Sequence, residues 1–598
     1  MAWYDEAVFY HIYPLGLTGA PKQNDYGEPV HRLNTLLPWV DHIKEIGGSA
    51  LYIGPLFESV GHGYETTDYK KLDSRLGTNE DLTAFVAYCH EQGIKVIFDG
   101  VFNHTGRDFF AFKDIQANRE NSQYKDWYCN VNFWGNNEYN DGFSYDNWGG
   151  YNLLVKLNQK NPAVVNYICD VIRFWVSEFD VDGIRLDAAD VLDFDFMKAL
   201  RRTANEVKPD FWLMGEVIHG DYSRWVNGET LHNVTNYTLH KALYSGHNDH
   251  NYFEIAHTVR RLQNMGTLKL YNFVDNHDVE RIYTKLTNKA HFAPVHVLLY
   301  TLPGVPSIYY GSEFGIEGRK EYGSDDSLRP ALNIEDYKDS VKTNPCTALI
   351  AALGKVRQAV PALSYGSYAE LMLTNRQFAY ARDLDVTRVI VSVNNDDAPA
   401  GMHLAAGNCA AYIGALSGEK VSVQDGHINI TQPANSGEIW VPEGTDLNVK
   451  PVKAQSVNVE NTDSINTNIE ASSVDTEKAT DMVVEDTQSE TTKAEDTKAA
   501  APKAETAKTA SENTASETTA KESESESTPN ATASDDPADP ETITVDWSKS
   551  PESMTVPELQ AAVLAKLSGN GPVDAQMKKT VTDNIWHDSL VNWLKSFR

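Results

Sequence analysis

The sequence predicts an α/β protein built on a parallel (β/α)8 TIM barrel. Three observations support this fold: short apolar runs alternate with helix-like segments over the first 360 or so residues, eight such runs are present, and several of them end in polar residues. Strands that alternate with helices favour a parallel sheet, and eight of them can close it into a barrel. The carboxyl ends of the strands would then meet on one face, which carries the active site of such barrels.

The candidate strands are short runs rich in branched and aromatic residues. They cover residues 8–13, 50–53, 95–98, 181–186, 211–214, 233–237, 271–274 and 306–310. Helical spacing of apolar residues predicts helices between them, the clearest at 36–46, 82–90 and 164–179. We therefore assign residues 1–103 and 159–360 to the barrel.

Residues 104–158 interrupt this alternation after the third strand. The segment has no clear helical pattern and is rich in Trp, Tyr, Phe, Asn and Gly. A long aromatic, Asn-rich segment after a strand end predicts an inserted domain that forms one side of a cleft. Its residues suit a sugar ligand, because aromatic faces stack on sugar rings and Asn or Asp side chains bond hydroxyl groups. The alternative is a folded loop whose aromatic residues form a small core of their own.

The composition changes again after the barrel. Residues 361–447 contain β-branched and alternating runs at 377–381, 388–393 and 438–442, separated by turn residues, which predicts an antiparallel β-sandwich domain. Residues 448–543 consist mostly of Ala, Thr, Ser, Glu, Lys and Asp, and no aromatic residue lies between Trp440 and Trp547. This segment cannot bury a core and is expected to be a disordered linker.

The chain is acidic, and the linker supplies much of this charge. Residues 451–540 hold 20 Asp or Glu against 7 Lys or Arg, within a formal net charge of −32 for the chain. An acidic protein binds polyanions poorly, which argues against a nucleic-acid partner. The acidity therefore predicts solubility more than it indicates a substrate.

The tail at 544–598 regains helical features. Thr555 and Glu558 form a capping-box pattern with a proline in the first turn, and a second apolar stripe starts near Val573. Two short helices on a long tether suggest a module that docks a protein partner. The alternative is a helical hairpin that rests on its own catalytic domain.

Cellular location is inferred from what the sequence lacks. No apolar span approaches the roughly 20 residues of a membrane helix, and the N-terminus has no basic segment followed by a long apolar core. Five scattered cysteines show no metal-ligand or redox spacing and are expected to be free thiols. These observations predict a cytoplasmic protein without a membrane partner.

Four strand ends carry polar residues suited to chemistry. They are Asp-Gly-Val-Phe-Asn-His at 99–104, Gly-Ile-Arg-Leu-Asp at 183–187, Met-Gly-Glu-Val at 214–217 and Phe-Val-Asp-Asn-His-Asp at 273–278. A single buried Asp is usually structural, but four such ends in order predict paired carboxylates inside a ring. Glycoside cleavage requires that layout, because one carboxylic acid protonates the leaving oxygen and a second carboxylate attacks or stabilises the anomeric carbon.

The residues at these ends suit separate roles. Arg185 lies two residues before Asp187 on the same strand face and is expected to hold Asp187 ionised, as a nucleophile requires. Partial burial and the nearby Asp187 are expected to raise the pKa of Glu216, as a general acid requires. Three more residues are expected to bind sugar hydroxyls or stabilise positive charge: Asp278, His104 and His277.

These segments resemble the conserved regions of the α-amylase family, glycoside hydrolase family thirteen, over about residues 5–445. The family patterns Asp-x-Val-x-Asn-His, Gly-x-Arg-x-Asp, Gly-Glu and Asn-His-Asp match at 99–104, 183–187, 215–216 and 276–278. The resemblance implies a retaining mechanism with Asp187 as nucleophile, Glu216 as acid/base and Asp278 as stabiliser. It also implies a set of residues that bind or support the substrate: Tyr64, Asp99, His104, Arg185, His277, Asp326 and Arg329.

The subfamily features are closest to those of neopullulanases and cyclomaltodextrinases. Val155-Lys-Leu-Asn158 resembles a signature of these enzymes with Val in place of Pro, whereas Asp190 and Val191 stand where many α-amylases have a Lys-His pair. The resemblance implies hydrolysis of α-1,4 bonds in maltodextrins, and it leaves tolerance of α-1,6 links open. The alternatives are a 4-α-glucanotransferase on the same substrates and, more remotely, a non-catalytic binding subunit.

A calcium ion is a further implication of the resemblance. In many family members the asparagine that matches Asn103 ligates a structural calcium together with carboxylates of the inserted domain. Asp108, Asp114 and Asp141 are candidate partners here. The alternative is that Asn103 orients the junction between barrel and insert without a metal.

Overall fold

The computed structural model describes residues 2–266, 269–321 and 323–447, together with parts of 545–568 and positions 581, 590 and 594. Over these residues, eight parallel strands pair in the order β6-β5-β4-β3-β2-β1-β8-β7. Their bounds are β1 Phe9–Ile12, β2 Ala50–Ile53, β3 Lys95–Gly100, β4 Gly183–Leu186, β5 Trp212–Gly215, β6 Asn233–Val234, β7 Tyr271–Asn272 and β8 Val305–Tyr309. The predicted barrel fold is confirmed.

A bridge between the two end strands completes the ring. Thr235, just after β6, pairs in parallel with Tyr271 of β7. The strand residues are almost entirely buried, which explains why they form near-continuous apolar runs in the sequence. Because every strand runs in the same direction, their carboxyl ends lie on one face.

Helices surround this sheet. The longer ones are α1 Leu37–Glu45, α2 Asn79–Glu91, α3 Pro162–Phe179, α4 Phe194–Val207, α5 Tyr237–Asn248, α6 Tyr252–Asn264, α7 Phe292–Thr301 and α8 Pro345–Ala359. Their starts follow ordinary capping chemistry: Thr78 and Asp81 form a capping box at α2, and Asn161 precedes a proline at the first position of α3. The three helices predicted from apolar spacing are all present.

The insert contains a helix that the sequence pattern did not reveal. Phe110–Asn118 is helical, and short strands at His104–Thr105, Asn147–Trp148 and Tyr151–Lys156 form a small sheet beside it. The prediction of no helix was wrong because the helix is only nine residues long and buries few residues, among them Phe112. Several aromatic residues of the insert are buried against one another and form a small core within it, which was the alternative to sugar binding. They are Phe112, Tyr128, Phe143 and Tyr145.

The domain after the barrel is antiparallel, as predicted. The predicted strands correspond to Gln377–Leu384, Thr387–Asn394 and Ser436–Pro442, which lie in one sheet with Ser367–Leu373, Ala411–Gly414 and Lys420–Ser422. A second pair, Ala400–Ala405 and His427–Gln432, packs on it through apolar residues such as Leu404 and Ile428. Arg382 of this domain and Arg357 of α8 both donate to carbonyls at the carboxyl end of α7, which joins the domain to the barrel.

The described C-terminal residues form a separate unit with its own apolar cluster. A helix spans Val556–Ser568, and the Thr555 backbone N–H donates to Glu558 Oε2 at 2.7 Å, as the capping box predicted. Buried residues of this unit pack together: Met554, Leu559, Val563, Val581, Leu590 and Leu594. The predicted linker at 448–543 and most of the predicted second helix lie outside the described residues.

Membrane-spanning helices were expected to be absent. Within the part of the chain that the structure describes, no helix is both long and apolar enough to cross a bilayer.

Candidate active site

The polar residues singled out in the sequence meet at the carboxyl ends of neighbouring strands. Asp99 lies near the end of β3, Asp187 follows β4, Glu216 follows β5 and Asp278 follows β7. Three of these carboxylates line an open cleft of about 830 Å³, whose other polar lining includes Tyr64, His104 and Arg329. The strand topology therefore brings together residues that are widely separated in the sequence.

Arg185 connects three of the carboxylates. Its Nη1 lies 2.8 Å from Asp99 Oδ1 and 2.9 Å from Asp187 Oδ1, and its Nη2 lies 2.9 Å from Glu216 Oε2. The guanidinium is almost fully buried, and planar N–H groups in fixed directions suit several carboxylates at once. Asp187 and Glu216 are thus fixed next to each other by one cation.

The pKa of Asp187 differs from the expectation that Arg185 keeps this carboxyl ionised. Burial raises the pKa of Asp187 well above its usual range, and the Arg185 guanidinium opposes this effect without cancelling it, while Glu216 adds to it. Burial also raises the pKa of Glu216, as expected, with Arg185 opposing and Asp278 adding to the rise. Because three carboxylates share one guanidinium, the Asp187–Glu216 pair retains a proton more readily than free carboxyls do.

Glu216 has two further hydrogen-bond partners that were not predicted from the sequence. The backbone N–H of Ala188 donates to Glu216 Oε2 at 3.1 Å, and the Tyr237 hydroxyl donates to Oε1 at 3.3 Å. Tyr237 in turn accepts a hydrogen bond from Asn276 at 3.2 Å. The available signal was the position of Tyr237 at the end of the sixth predicted strand, on the same face as the other strand ends.

Arg329 holds Asp278 in place. The second carboxylate that contacts Arg329 is Asp325, not the predicted Asp326. Arg329 Nη2 lies 2.9 Å from Asp278 Oδ1 and 3.0 Å from Asp325 Oδ2. Asp325 lines the cleft, whereas Asp326 is 63 % exposed and pairs with Lys22. The choice of Asp326 is thus not supported, because the short helical turn that begins at Asp326 directs the preceding carboxylate, Asp325, into the cleft.

His277 is held between two tyrosine rings. Its imidazole stacks on Tyr64 with centroids 5.7 Å apart and on Tyr13 at 5.8 Å, and its Nε2 bonds the Tyr64 hydroxyl and lies 3.1 Å from Asp278 Oδ2. Burial and the nearby Arg329 and Arg185 lower the pKa of His277 well below its usual range. The imidazole is therefore neutral at pH 7, which suits the predicted binding of a sugar hydroxyl.

Tyr64 also fixes the remaining predicted residues. Its hydroxyl lies 3.2 Å from Asp99 Oδ2, and its backbone carbonyl lies 3.1 Å from His104 Nε2. Burial lowers the pKa of His104 to about 3, so this imidazole is also neutral. Asp99 is enclosed by Arg185, Tyr52 and Tyr64, which fits its expected role of support rather than direct chemistry.

The sides of the cleft combine apolar and acidic residues. Trp148 and Leu154 of the insert line one side, and Ile218 and Asp190 lie near Glu216. Trp148 bears out the idea that some insert aromatics face the cleft, although the sequence could not indicate which. Asp190 lines the cleft at the position where many α-amylases have the first residue of a Lys-His pair.

The surroundings of Asn103 do not fit a calcium site. Its Oδ1 accepts a hydrogen bond from the Gln159 amide, and its Nδ2 contacts His104. The candidate partner Asp141 is paired with Arg107 at 2.7 Å, and Asp114 accepts a hydrogen bond from a serine at 2.5 Å. Over the described ranges no three His, Cys, Asp or Glu side chains form a cation-binding group. This geometry favours the alternative in which Asn103 orients the barrel–insert junction.

Comparisons with known proteins show which family this chain is similar to. A family profile described as the catalytic domain of alpha amylase matches residues 32–357. A cyclomaltodextrinase of a Bacillus species is 30% identical over 433 residues, which cover 67% of this chain and 76% of that protein. An intracellular maltogenic amylase of Bacillus subtilis is 28% identical over 345 residues, 53% of this chain and 57% of its own. A solved structure of a cyclomaltodextrinase matches with a TM-score of 0.65 at 26% identity, over 73% of this chain and 78% of that one.

Proposed function

Because the chain belongs to the α-amylase family of glycoside hydrolases, we propose that it cleaves α-1,4-glucosidic bonds of maltodextrins with retention of the anomeric configuration. The observation that carries the proposal is the sharing of Arg185 by Asp187 and Glu216 at 2.9 Å each. Retaining enzymes need two carboxyl groups close together, roughly 5–5.5 Å apart, so that one can attack the carbon whose leaving group the other protonates.

The roles follow from the contacts of each carboxylate. Asp187 attacks the anomeric carbon, while Glu216 donates its proton to the leaving oxygen. Glu216 then takes a proton from the water that hydrolyses the covalent intermediate. The pair must carry one proton before the first step, and burial, which raises the pKa of both carboxyls, favours its retention; attack by Asp187 requires this proton to lie on Glu216.

The other residues position the sugar and balance its charge. Asp278, tied to Arg329, binds hydroxyls of the sugar at the cleavage point and stabilises the positive charge that develops on its ring. Neutral His104 and His277 each have one N–H, which without substrate contacts the Tyr64 carbonyl and Asp278, respectively, and which turns to a hydroxyl of the same sugar when it binds. Tyr64 provides an aromatic face for this sugar.

The substrate class is proposed from the relatives. Relatives named cyclomaltodextrinase and maltogenic amylase favour soluble maltodextrins, including cyclic ones. A 4-α-glucanotransferase remains the alternative, since the same intermediate can be captured by a sugar instead of water. Similarity to an intracellular enzyme supports a cytoplasmic location.

The experiment is a product time course with the purified intact chain on maltoheptaose, β-cyclodextrin and pullulan. We expect short maltooligosaccharides of retained configuration, and we expect Glu216→Gln to lose at least about a thousandfold in kcat. Glu254→Gln, a half-buried glutamate on α6 that pairs with Lys241, is the matched control and should keep normal turnover. Normal activity of Glu216→Gln would reject the assigned role, and products longer than the substrate would favour transfer.

A further inference from the structure

A second, smaller cavity lies inside the barrel and borders the catalytic group. It is lined by residues of several strands and strand ends, including His11, Tyr52, Arg185, Tyr271, His277 and Ser307. The cavity leaves about 10 Å³ for the centre of a water molecule. That is close to the minimum of about 10–15 Å³ that one buried water requires.

Two histidines that line this cavity each have an imidazole nitrogen with unused hydrogen-bonding capacity. His11 is 3% exposed and His277 is 1% exposed. His11 Nε2 and His277 Nδ1 are both buried, and neither has a hydrogen-bond partner among the described protein atoms. The two rings lie edge to face with centroids 5.1 Å apart. Buried polar atoms are nearly always bonded to protein or to an ordered water, so each of these two nitrogens requires a partner.

The contacts of His277 define which partner its Nδ1 needs. Nε2 lies 3.1 Å from Asp278 Oδ2, and a carboxylate accepts, so Nε2 carries the proton. The Tyr64 hydroxyl can then donate to Asp99 and accept from Nε2. In a neutral imidazole this leaves Nδ1 as an acceptor, and the bond made there fixes the tautomer. The cavity must therefore supply a donor.

We propose that one ordered water in this cavity donates to His277 Nδ1 and is held by His11 Nε2. His11 is thereby a positioning residue, which keeps His277 in the tautomer whose Nε2–H points to Asp278 and the Tyr64 hydroxyl. Its own orientation is fixed because it stacks on Tyr52 at 4.1 Å and packs against Tyr309 at 4.9 Å. The inference rests on the proposed function, in which His277 donates to a sugar hydroxyl.

The first test needs no substrate. A high-resolution crystal structure of the intact chain should show electron density for a water at roughly 2.7–3.2 Å from both nitrogens. A dry cavity, or a direct bond of either nitrogen to another protein atom, would overturn the proposal. This result stands whether or not maltodextrins prove to be the substrate, so failure of the proposed function is recognised separately by an inactive wild-type protein.

The second test separates positioning from a structural role. His11→Phe keeps the aromatic stacking but removes the nitrogen, and we expect about a tenfold loss of kcat/KM on maltoheptaose, mostly through KM. His11→Gln, whose amide can hold the water, should restore most of it. His296→Phe is the control, because His296 is another buried histidine with an unpartnered Nε2, placed on α7; its KM should stay within about twofold of wild type.

The outcomes of the second test decide the proposal in either direction. Wild-type KM in His11→Phe, or an equal loss in His11→Gln, contradicts it. If His11→Phe does not fold, the His11→Gln kinetics and the water density in the wild-type crystal still decide.

Discussion

Arg329 binds both the side chain of Asp278 and the backbone next to it. Its Nη2 lies 2.9 Å from Asp278 Oδ1, while its Nε donates to the carbonyl of His277 at 3.0 Å. The same guanidinium lies over the Tyr13 ring, which stacks on the His277 imidazole. One cation therefore fixes the positions of two residues proposed to bind the sugar.

Replacement of this arginine should impair catalysis more than stability. In Arg329→Gln, Asp278 loses its charged partner and both Asp278 and His277 lose their fixed positions. We expect kcat/KM on maltoheptaose to fall by about tenfold to a hundredfold, with a small change in melting temperature. Arg319→Gln is the control, because Arg319 is 77 % exposed and contacts Glu280 at only 3.9 Å. Equal kinetics of the two variants would refute this role of Arg329.

The strand ends that carry the candidate catalytic residues could be predicted from the sequence. Buried parallel strands form distinctive apolar runs, and their carboxyl ends all lie on one face of the barrel. The same reasoning could not choose between Asp325 and Asp326, since both lie in one loop and a turn of the backbone decides which one enters the cleft. It also could not foresee that Asp99 competes for Arg185, because that contact joins β3 to β4. The protonation states of these carboxyls depend on contacts between segments far apart in the chain, and the pattern of a single sequence does not reveal such contacts.

The raised pKa of Asp187 makes a prediction about stability and pH. In the folded state its pKa lies above the unfolded value, so stability is fully present below the unfolded pKa and is lost as the pH rises from there through the folded pKa. Asp187→Asn removes that loss. We expect the variant to be more stable than wild type at pH 7, by on the order of 1–3 kcal/mol, and to lose this advantage as the pH falls below the unfolded pKa, where Asp187 is protonated in both the folded and the unfolded wild type.

A buried aspartate with the opposite shift provides the control for that measurement. Burial would raise the pKa of Asp182, but contacts with His90, Lys95 and the Val96 backbone N–H outweigh burial and lower it. Asp182→Asn should therefore destabilise the protein at pH 7, and by less as the pH falls through the unfolded pKa and on through the folded one. Thermal unfolding at several pH values tests both variants, and destabilisation of Asp187→Asn at pH 7 would contradict the expected sign.

Calcium removal should have little effect. Asn103 is already bonded to Gln159, and Asp141 to Arg107, so neither offers a free oxygen set to a cation. We expect EDTA to leave the melting temperature and the activity on maltoheptaose unchanged within error. A drop that added calcium reverses would restore the calcium expectation.

Trp148 should contribute binding rather than chemistry. It lines the cleft from the insert, and an indole face stacks well on a sugar ring. We expect Trp148→Ala to raise KM for maltoheptaose about tenfold with kcat nearly unchanged. Trp134→Ala is the matched control in the same insert, because Trp134 is 98% exposed and is not part of the cleft lining. A fall in kcat without a change in KM would indicate a different role.

The C-terminal unit should be separable from catalysis. Its described residues form an apolar cluster of their own, including Leu559, Val563 and Leu590, which supports a module that folds by itself. We propose that this module docks a protein partner or its own catalytic domain. Deletion of residues 448–598 should leave kcat/KM on maltoheptaose unchanged, since all residues proposed for the site precede position 330. Light scattering and cross-linking of both forms would reveal a change in assembly or in intramolecular contact. Loss of turnover on this small substrate would mean that the unit contributes to the active site.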